Sequence, residues 1–230
     1  MRKIALVTGG SKGIGRAIVK SLLNEKYIVI DASRSRVDLN NQDFYFIKTD
    51  VAIERDIDNL FSFINEKFGR LDVLINNAGF GKFAPFNESK LSDFDDMFAV
   101  NVRGLYMCTK KALNFMLEQK SGFIANIASI AGKTSIEQAS IYCATKHAVM
   151  GLTKSLFLEV RKSGIRVVAI CPGSVDTNFF DQPGTTLHSD RNTLLAPQDV
   201  ADAVIYALKS PERCLVNEIE LRPLNPVKKS

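Results

Sequence analysis

The sequence of 230 residues contains no tryptophan, only two histidines and only four cysteines. The cysteines lie far apart and form no Cys-x-x-Cys pair, so a zinc site is not expected. We interpret them as free thiols, buried in a reducing compartment and not joined as disulfides. They are Cys108, Cys143, Cys171 and Cys214.

Long apolar runs and charge of one sign are also scarce. No apolar run approaches the roughly 20 residues that a transmembrane helix needs. The first run, Ile4–Val7, is too short for the core of a signal peptide, and we expect a cytoplasmic protein without membrane attachment. The 30 Lys+Arg residues exceed the 25 Asp+Glu residues by only five and are interleaved with them, so nucleic-acid binding is not expected.

Short apolar runs alternate with segments of helical periodicity along the whole chain. Several runs are apolar at consecutive positions, which is typical of parallel strands covered on both faces. This alternation predicts one doubly wound α/β domain over residues 1–230, with helices on both faces of the sheet. The predicted strands are Ile4–Val7, Ile28–Ile30, Phe44–Ile47, Val73–Ile75, Phe123–Ala128, Ile165–Ile170 and Glu218–Leu221, and the predicted helices span 14–25, 53–68, 91–117, 141–162 and 198–208.

A glycine-rich turn, Thr8-Gly9-Gly10-Ser11-Lys12-Gly13-Ile14-Gly15, follows the first predicted strand and precedes a helix. Glycine allows the backbone to approach a phosphate, and the free N–H groups at the start of a helix attract an anion. The turn therefore indicates a dinucleotide site, with a plain structural turn as the alternative. Because no Gly-Lys-Ser/Thr ends it, the turn is not a P-loop.

Other polar residues follow predicted strands or lie on apolar helix faces. The segment Asn76-Asn77-Ala78-Gly79 and Ser129 each follow a predicted strand, at the edge where open α/β sheets bind ligands. Asn101 lies on an apolar helical stripe, either as a core amide with satisfied hydrogen bonds or as a residue that holds an active-site water. Tyr142 and Lys146 are four residues apart and therefore share one face of a helix.

The order and spacing of these elements, with Pro172-Gly173-x-Val175-x-Thr177 after them, resemble the short-chain dehydrogenase/reductase family in its compact single-domain branch. The resemblance is close over residues 3–178. It implies a Rossmann-like sheet of seven parallel strands in the order 3-2-1-4-5-6-7. It also implies hydride transfer between a nicotinamide dinucleotide and a small-molecule carbonyl or alcohol.

The resemblance also implies a role for each catalytic candidate. Tyr142 would be the general acid that protonates the nascent alkoxide. Lys146 would lower the pKa of Tyr142 by its positive charge, together with that of the oxidised nicotinamide, and would hydrogen-bond the nicotinamide ribose. Ser129 would hold the carbonyl oxygen, and Asn101 would order a chain of water that returns the proton to Tyr142.

In the family, the residue that ends the second strand separates NADP users from NAD users. The resemblance places Ser33 at this position, followed by Arg34, and the turn carries Lys12, so NADP(H) is favoured over NAD(H). Two cations and no carboxylate suit a 2′-phosphate. Asp31 is a competing feature, since it shares a strand face with Ser33 and a shifted register would make it a ribose ligand. The implied dinucleotide contacts are Gly9, Ser11, Lys12, Gly13, Ile14, Gly15, Ser33, Arg34, Asp50, Val51, Asn77, Ala78, Gly79, Tyr142, Lys146, Pro172, Gly173, Val175 and Thr177.

The substrate walls are expected from residues 80–86 and from a loop over 177–197. Phe83, Phe86, Phe179 and Phe180 in these segments are either an apolar pocket or core aromatics. The favoured function is reduction of a ketone or aldehyde.

One alternative function is a 3-oxoacyl-thioester (acyl-carrier-protein) reductase, although Phe123 and Ser163 stand where many such proteins have arginines. Another is a non-catalytic dinucleotide sensor. A homodimer or homotetramer is expected, with helices 91–118 and 141–162 at the interface.

Overall fold

Seven parallel strands form one sheet, in the order β3-β2-β1-β4-β5-β6-β7, in the computed structural model of the chain. The structure describes residues 2–37, 39–181, 190–211 and 213–226. The predicted fold class and strand order are confirmed. The strands are β1 (Ile4–Thr8), β2 (Ile28–Ser33), β3 (Phe44–Lys48), β4 (Val73–Asn76), β5 (Gly122–Ile127), β6 (Ile165–Pro172) and β7 (Glu218–Leu221).

Helices cover both faces of the sheet because successive residues of each buried strand point to opposite sides. Ala5 and Val7 of β1 belong to a core that contains α1 and α6. Ile4 and Leu6 belong to a second core with α2, α4 and the end of α5. The helices are α1 (Gly13–Asn24), α2 (Glu54–Phe68), α3 (Leu91–Phe98), α4 (Leu105–Gln119), α5 (Ser140–Val160) and α6 (Pro197–Lys209).

The prediction of one continuous helix over 91–117 is wrong. A π-helical segment, Ala99–Gly104, separates α3 from α4. Gly104 packs so closely on the loop after β3 that a Cβ there would lie 2.7 Å from the carbonyl oxygen of Val51. Asn101, in the middle of the segment, is 2% exposed. Such π-helical turns often occur at functional sites, and hydrophobic periodicity alone does not reveal them.

Three of the four cysteines are buried as predicted, but Cys214 is exposed, which corrects the expectation of a uniformly buried set. Cys214 follows a turn before β7 and belongs to no core cluster described in the structure. Among the described residues, no group of His, Cys, Asp and Glu side chains could hold a metal ion. In the same part of the chain, no helix combines the length and apolarity needed to cross a membrane.

Candidate active site

The glycine-rich turn has a backbone that requires glycine. Gly9 and Gly13 adopt positive φ angles of 70° and 54°, which other L-residues adopt only with strain. At Gly15, a Cβ would lie 2.2 Å from the carbonyl oxygen of Gly9. The helix therefore begins directly against the turn, a fit that any larger side chain would prevent.

The N-terminus of α1 meets the requirements of an anion site. Lys12, the residue before the helix, makes no side-chain capping hydrogen bond, and the first turn contains no acidic residue. Uncapped N–H groups and the helix dipole attract a negative group such as a pyrophosphate. Ser11 and Ile14 are half-buried, and the Lys12 side chain is exposed. These residues fit the pyrophosphate of a dinucleotide.

Thr8, at the end of β1, fixes the neighbouring Asn77–Gly79 segment. Its hydroxyl oxygen accepts the backbone N–H groups of Asn77 and Ala78, each at 3.0 Å. The Asn77 amide in turn donates to the carbonyl oxygens of Thr8 at 2.9 Å and Gly9 at 3.0 Å. Thr8 is not among the site residues predicted from the sequence. The one feature of the sequence that indicates its role is a polar side chain directly between a buried strand and a glycine.

A buried polar ladder connects the centre of the sheet to the helices behind it. The Asn76 amide donates to Asn126 Oδ1 at 2.8 Å and to Thr109 Oγ1 at 2.9 Å. Asn126 donates to Thr153 Oγ1 at 2.8 Å. Because a buried amide needs hydrogen-bond partners, these bonds fix how β4 and β5 sit against α4 and α5. Asn76 Oδ1 is buried and has no hydrogen-bond partner among the described residues.

Ser129, Tyr142 and Lys146 come together at the carboxyl edge of the sheet. Ser129 follows β5, and its side chain lies near enough to the phenol of Tyr142 on α5 to favour the ionised phenol by hydrogen bonding. The Lys146 ammonium lies 5.7 Å from the centre of the Tyr142 ring and donates to the carbonyl oxygen of Ile127 at 2.9 Å. Tyr142 is 8% exposed and Lys146 is 7% exposed. The three side chains can act together on one buried atom.

Burial controls the protonation of this group. It raises the pKa of Tyr142 to about 12, against a smaller opposing effect of the Ser129 hydrogen bond. Burial also lowers the pKa of Lys146 to about 8. Desolvation disfavours the charged form of each group. The expected lowering of the Tyr142 pKa by Lys146 together with the oxidised nicotinamide stays a prediction for the complex with the dinucleotide.

The side chain of Asn101 is satisfied by protein groups, as in the core-amide alternative. Its Oδ1 accepts the backbone N–H of Phe80 at 3.0 Å. Its Nδ2 donates to the carbonyl oxygen of Phe80 at 2.9 Å and to Thr145 Oγ1 at 3.1 Å. A Cβ on Gly79 would lie 3.2 Å from Asn101 Oδ1. Asn101 thus holds the loop after β4 against α5, beside Tyr142.

Two phenylalanines form an aromatic wall around Tyr142. The rings of Phe83 and Phe179 each lie 5.7 Å from the Tyr142 ring, and 6.2 Å from each other. Phe86 is 77% exposed, so it is not a core aromatic, and its place in the substrate pocket stays a prediction. The side chain of Phe180 and residues 182–189 of the predicted 177–197 loop lie outside the described residues.

The base of that loop is fixed by hydrogen bonds. Val175 pairs with Leu195 as a short parallel bridge. Arg191 forms ion pairs with Asp176, at 2.9 Å, and with Asp181. These contacts hold the two ends of the loop together and direct Phe179 towards Tyr142.

The segment after β6 lies across the glycine-rich turn. The Gly173 N–H donates to the carbonyl oxygen of Leu221 at 2.7 Å, and Pro172 is buried. A Cβ on Gly13 would lie 3.2 Å from Thr177 Cγ2, so Thr177 stands over the turn. Residues 172–177 therefore border both the turn and the group around Tyr142, as a dinucleotide site requires.

The structure at the end of β2 does not support Asp31 as the competing ribose ligand. Asp31 has no exposed surface, and its two oxygens accept hydrogen bonds from the Gly10 N–H at 2.8 Å and the Ser33 hydroxyl at 3.0 Å. It is therefore not placed as a ligand of an adenine ribose. Arg34, like Lys12, is exposed at this edge.

The segment after β3 is also in place for an adenine. Asp50 Oδ1 accepts the N–H of Ala52 at 3.0 Å, which shapes a turn. Val51 is the middle residue of this turn and is 6% exposed. The turn is fixed at the same edge of the sheet as Asn77 and Ser33.

Comparisons with known proteins agree with this geometry. The family described as short chain dehydrogenase matches residues 3–187. An uncharacterized oxidoreductase of Staphylococcus aureus is 40% identical over 229 residues, which cover 96% of this chain and 97% of the relative.

Solved structures with NADP compounds are similar as well. ElxO with NADP bound is 31% identical, covers 96% of this chain and 98% of its own, and has a TM-score of 0.84. An alcohol dehydrogenase from the archaeon Thermococcus sibiricus, complexed with 5-hydroxy-NADP, is 26% identical over the whole of both chains, with a TM-score of 0.88. On these matches and its own geometry, the chain belongs to the short-chain dehydrogenase family of oxidoreductases.

Proposed function

We propose that the protein reduces a ketone or aldehyde to an alcohol with NADPH. The observation that carries the proposal is the convergence of Ser129, Tyr142 and Lys146 at the sheet edge that also holds the glycine-rich turn. Carbonyl reduction needs an anion site for the dinucleotide, an acid that supplies a proton and a hydrogen-bond donor for the carbonyl oxygen. The turn, Tyr142 and Ser129 would supply these three parts.

Each side chain has a separate task in this proposal. The bound dinucleotide supplies the hydride. Ser129 orients the carbonyl oxygen, and Tyr142 donates the phenol proton to that oxygen as negative charge develops on it. Lys146 stabilises the negative charge left on the phenol, since a positive group favours the ionised form of a neighbouring acid. Phe83 and Phe179 exclude water from the reacting carbonyl.

The proposed cofactor is NADPH because Lys12 and Arg34 are exposed beside the end of β2, where a 2′-phosphate would lie. Asp31 does not oppose this assignment as a ribose ligand, since both of its oxygens are already engaged. The two similar structures described above carry NADP or a derivative of it. We place the adenine against Asp50 and Val51.

Replacing Arg34 with alanine is expected to weaken NADPH binding about tenfold and to leave NADH binding unchanged, because only NADPH carries the phosphate that Arg34 would pair with. Titration of the fluorescence of each reduced cofactor measures both dissociation constants. Lys154→Ala, on the exposed side of α5, is the matched control. Equal weakening of NADPH and NADH would contradict the assignment.

The substrate class can be tested by the loss of reduced-nicotinamide absorbance over a panel of ketones, aldehydes, diketones and a β-ketoacyl thioester. The aromatic wall favours an apolar carbonyl compound. Turnover of the thioester alone would select the acyl-carrier-protein alternative. Tight NADPH binding without turnover of any member would favour the non-catalytic sensor.

We also propose that two copies of the chain associate through the face formed by α3, the π-helical segment, the start of α4 and α5. Phe94, Tyr106 and Leu152 are large apolar side chains exposed on this face. Tyr106 and Leu152 line a groove of about 680 Å³ that is also lined by Asp95 and Arg103. In a twofold arrangement the acid of one copy can face the arginine of the other, which makes the surface complementary to itself.

Tyr106→Glu is expected to convert the assembly into monomers, because it places a charge at the centre of the apolar face. The mass in solution, measured by light scattering after size-exclusion chromatography, reports the change. Tyr206→Glu is the matched control, since Tyr206 is an exposed tyrosine on α6, across the sheet. A monomeric wild type, or dissociation by the control alone, would refute the proposed face.

A further inference from the structure

A buried carboxylate lies directly below the glycine-rich turn, and the proposed chemistry gives it no role. Asp31 has no exposed surface and lies on the face of β2 that carries Val29 and Ser33, towards α1. Its partners on the neighbouring strands, Val7 and Phe46, are uncharged. A carboxylate in such surroundings depends on the donors that reach its two oxygens.

Those donors connect Asp31 to the end of β2. Oδ1 accepts the N–H of Gly10 at 2.8 Å, and Oδ2 accepts the Ser33 hydroxyl at 3.0 Å. Ser33 Oγ also lies 3.2 Å from the carbonyl oxygen of Ser35. A serine hydroxyl has one hydrogen, so the two acceptors already compete for it. While Asp31 is ionised, the serine hydrogen is taken by one of these two acceptors. A further acceptor beside Ser33, such as a phosphate oxygen, then faces the lone pairs of Ser33 Oγ and receives no hydrogen bond from it.

Protonation of Asp31 reverses the direction of this hydrogen bond. The acid then donates its proton to Ser33 Oγ, and the serine hydrogen is left to the Ser35 carbonyl oxygen or to a phosphate oxygen beside Ser33. Burial raises the pKa of Asp31 to about 6, against the opposing hydrogen bonds from Ser33 and Gly10 and the positive charge of Arg16 on α1. Within the described part of the chain, Arg16 is the charged side chain that acts on Asp31 from an adjacent element. Both forms are therefore populated within about one pH unit of 6.

We propose that Asp31 sets the preference between NADPH and NADH through Ser33, withholding the hydroxyl hydrogen from the 2′-phosphate when ionised and releasing it when protonated. This inference rests on the proposed binding of the 2′-phosphate beside Ser33 and Arg34. NADH has an uncharged 2′-hydroxyl at this position, and a hydrogen bond to a neutral oxygen is weaker than one to a phosphate, so its affinity depends much less on the Ser33 hydrogen. Asp31 is thus a positioning residue that acts on the cofactor through its neighbour.

Asp31→Asn tests the proposal because its amide reproduces the protonated form. The amide oxygen still accepts the Gly10 N–H, and the amide nitrogen donates to Ser33 Oγ. At pH 8 the variant is expected to bind NADPH about tenfold more tightly than the wild type, the scale of one hydrogen bond to a charged group. The dissociation constant of NADH is expected to change much less. Both are measured by fluorescence titration of the reduced cofactors.

The pH profile separates this role from a structural one. A phosphate monoester loses its second proton near pH 6, so the wild type and Asp31→Asn are compared with each other at every pH. Their roughly tenfold difference for NADPH at pH 8 should disappear by about pH 5, where Asp31 is protonated. A residue that only supports the fold would affect both cofactors alike at every pH, and that result would overturn the proposal.

Ser33→Ala provides an independent test if Asp31→Asn folds poorly. It is expected to weaken NADPH binding about tenfold at pH 5 and little at pH 8, where Asp31 already withholds the hydrogen. In the Ser33→Ala background, Asp31→Asn should have no effect on NADPH, and a persistent effect would refute the route through Ser33. Thermal unfolding without cofactor checks that each variant is folded.

Arg34→Ala distinguishes failure of this inference from failure of the proposed cofactor. If Arg34→Ala weakens NADPH binding while Asp31→Asn changes neither affinity, the inference alone is wrong. If the wild type binds NADH as tightly as NADPH and Arg34→Ala changes neither, the proposed cofactor is wrong and the inference fails with it.

Discussion

Replacing Tyr142 with phenylalanine is expected to lower kcat for carbonyl reduction by about 10²–10⁴-fold, the range that a general acid contributes. The variant loses the phenol proton and keeps the ring, whose contacts with Phe83 and Phe179 need no hydroxyl. NADPH should therefore bind the variant with nearly the wild-type dissociation constant. Steady-state loss of reduced-nicotinamide absorbance and a cofactor titration measure the two quantities.

The control for this prediction is Tyr206→Phe, which removes the hydroxyl of an exposed tyrosine on α6 and should leave kcat unchanged. A near-normal kcat for Tyr142→Phe would show that another group supplies the proton. Burial raises the pKa of Tyr142, so the phenol stays protonated throughout the neutral range. Reduction should accordingly be insensitive to pH there and decline at alkaline pH as the phenol ionises, whereas alcohol oxidation should increase with pH.

The sheet could be predicted from the sequence because its buried strands are apolar at consecutive positions. Val73–Ile75 was expected and Val73–Asn76 is observed. The apolar pattern errs most at the end of β2, which it places at Ile30, whereas the strand continues to Ser33, the end that the family resemblance implies. The apolar pattern stops at Asp31, whose polar oxygens are satisfied by Gly10 and Ser33 inside the fold. A hydrophobicity pattern does not show that a polar side chain inside a strand is satisfied by hydrogen bonds.

The candidate site also contains some residues whose positions the sequence could predict and others whose contacts it could not. Ser129, Tyr142 and Lys146 could be predicted because their spacing follows one strand end and one helix face. The contacts of Thr8 and of Asn101 could not, because their partners are distant in sequence. Asn101 and Thr145 are 44 residues apart, and no local pattern relates them. The π-helical segment that carries Asn101 depends on these tertiary contacts too, so it is also invisible to periodicity.

Lys146→Met is expected to abolish most of the activity and yet to stabilise the fold. The ammonium is nearly fully buried, and burial lowers its pKa from 10.5 to about 8. Charging it inside the protein therefore costs about 3 kcal/mol relative to the unfolded chain at neutral pH. Methionine fills a similar volume without the charge. The variant also loses the hydrogen bond from the Lys146 ammonium to the Ile127 carbonyl oxygen, which reduces this stabilisation by about 1–2 kcal/mol. The free energy of unfolding of Lys146→Met is therefore expected to exceed that of the wild type by about 1–2 kcal/mol.

The stabilisation expected for Lys146→Met depends on pH. The folded chain releases the Lys146 proton near pH 8 and the unfolded chain near 10.5, so wild-type stability rises with pH across this interval. The advantage of Lys146→Met in urea unfolding should therefore be largest below pH 8 and shrink as the pH approaches 10. Lys154→Met, which removes an exposed ammonium from the same helix, should change neither stability nor kcat. A variant destabilised at pH 7 would mean that the buried ammonium stabilises the fold, and a burial-depressed pKa would then be the wrong account of Lys146.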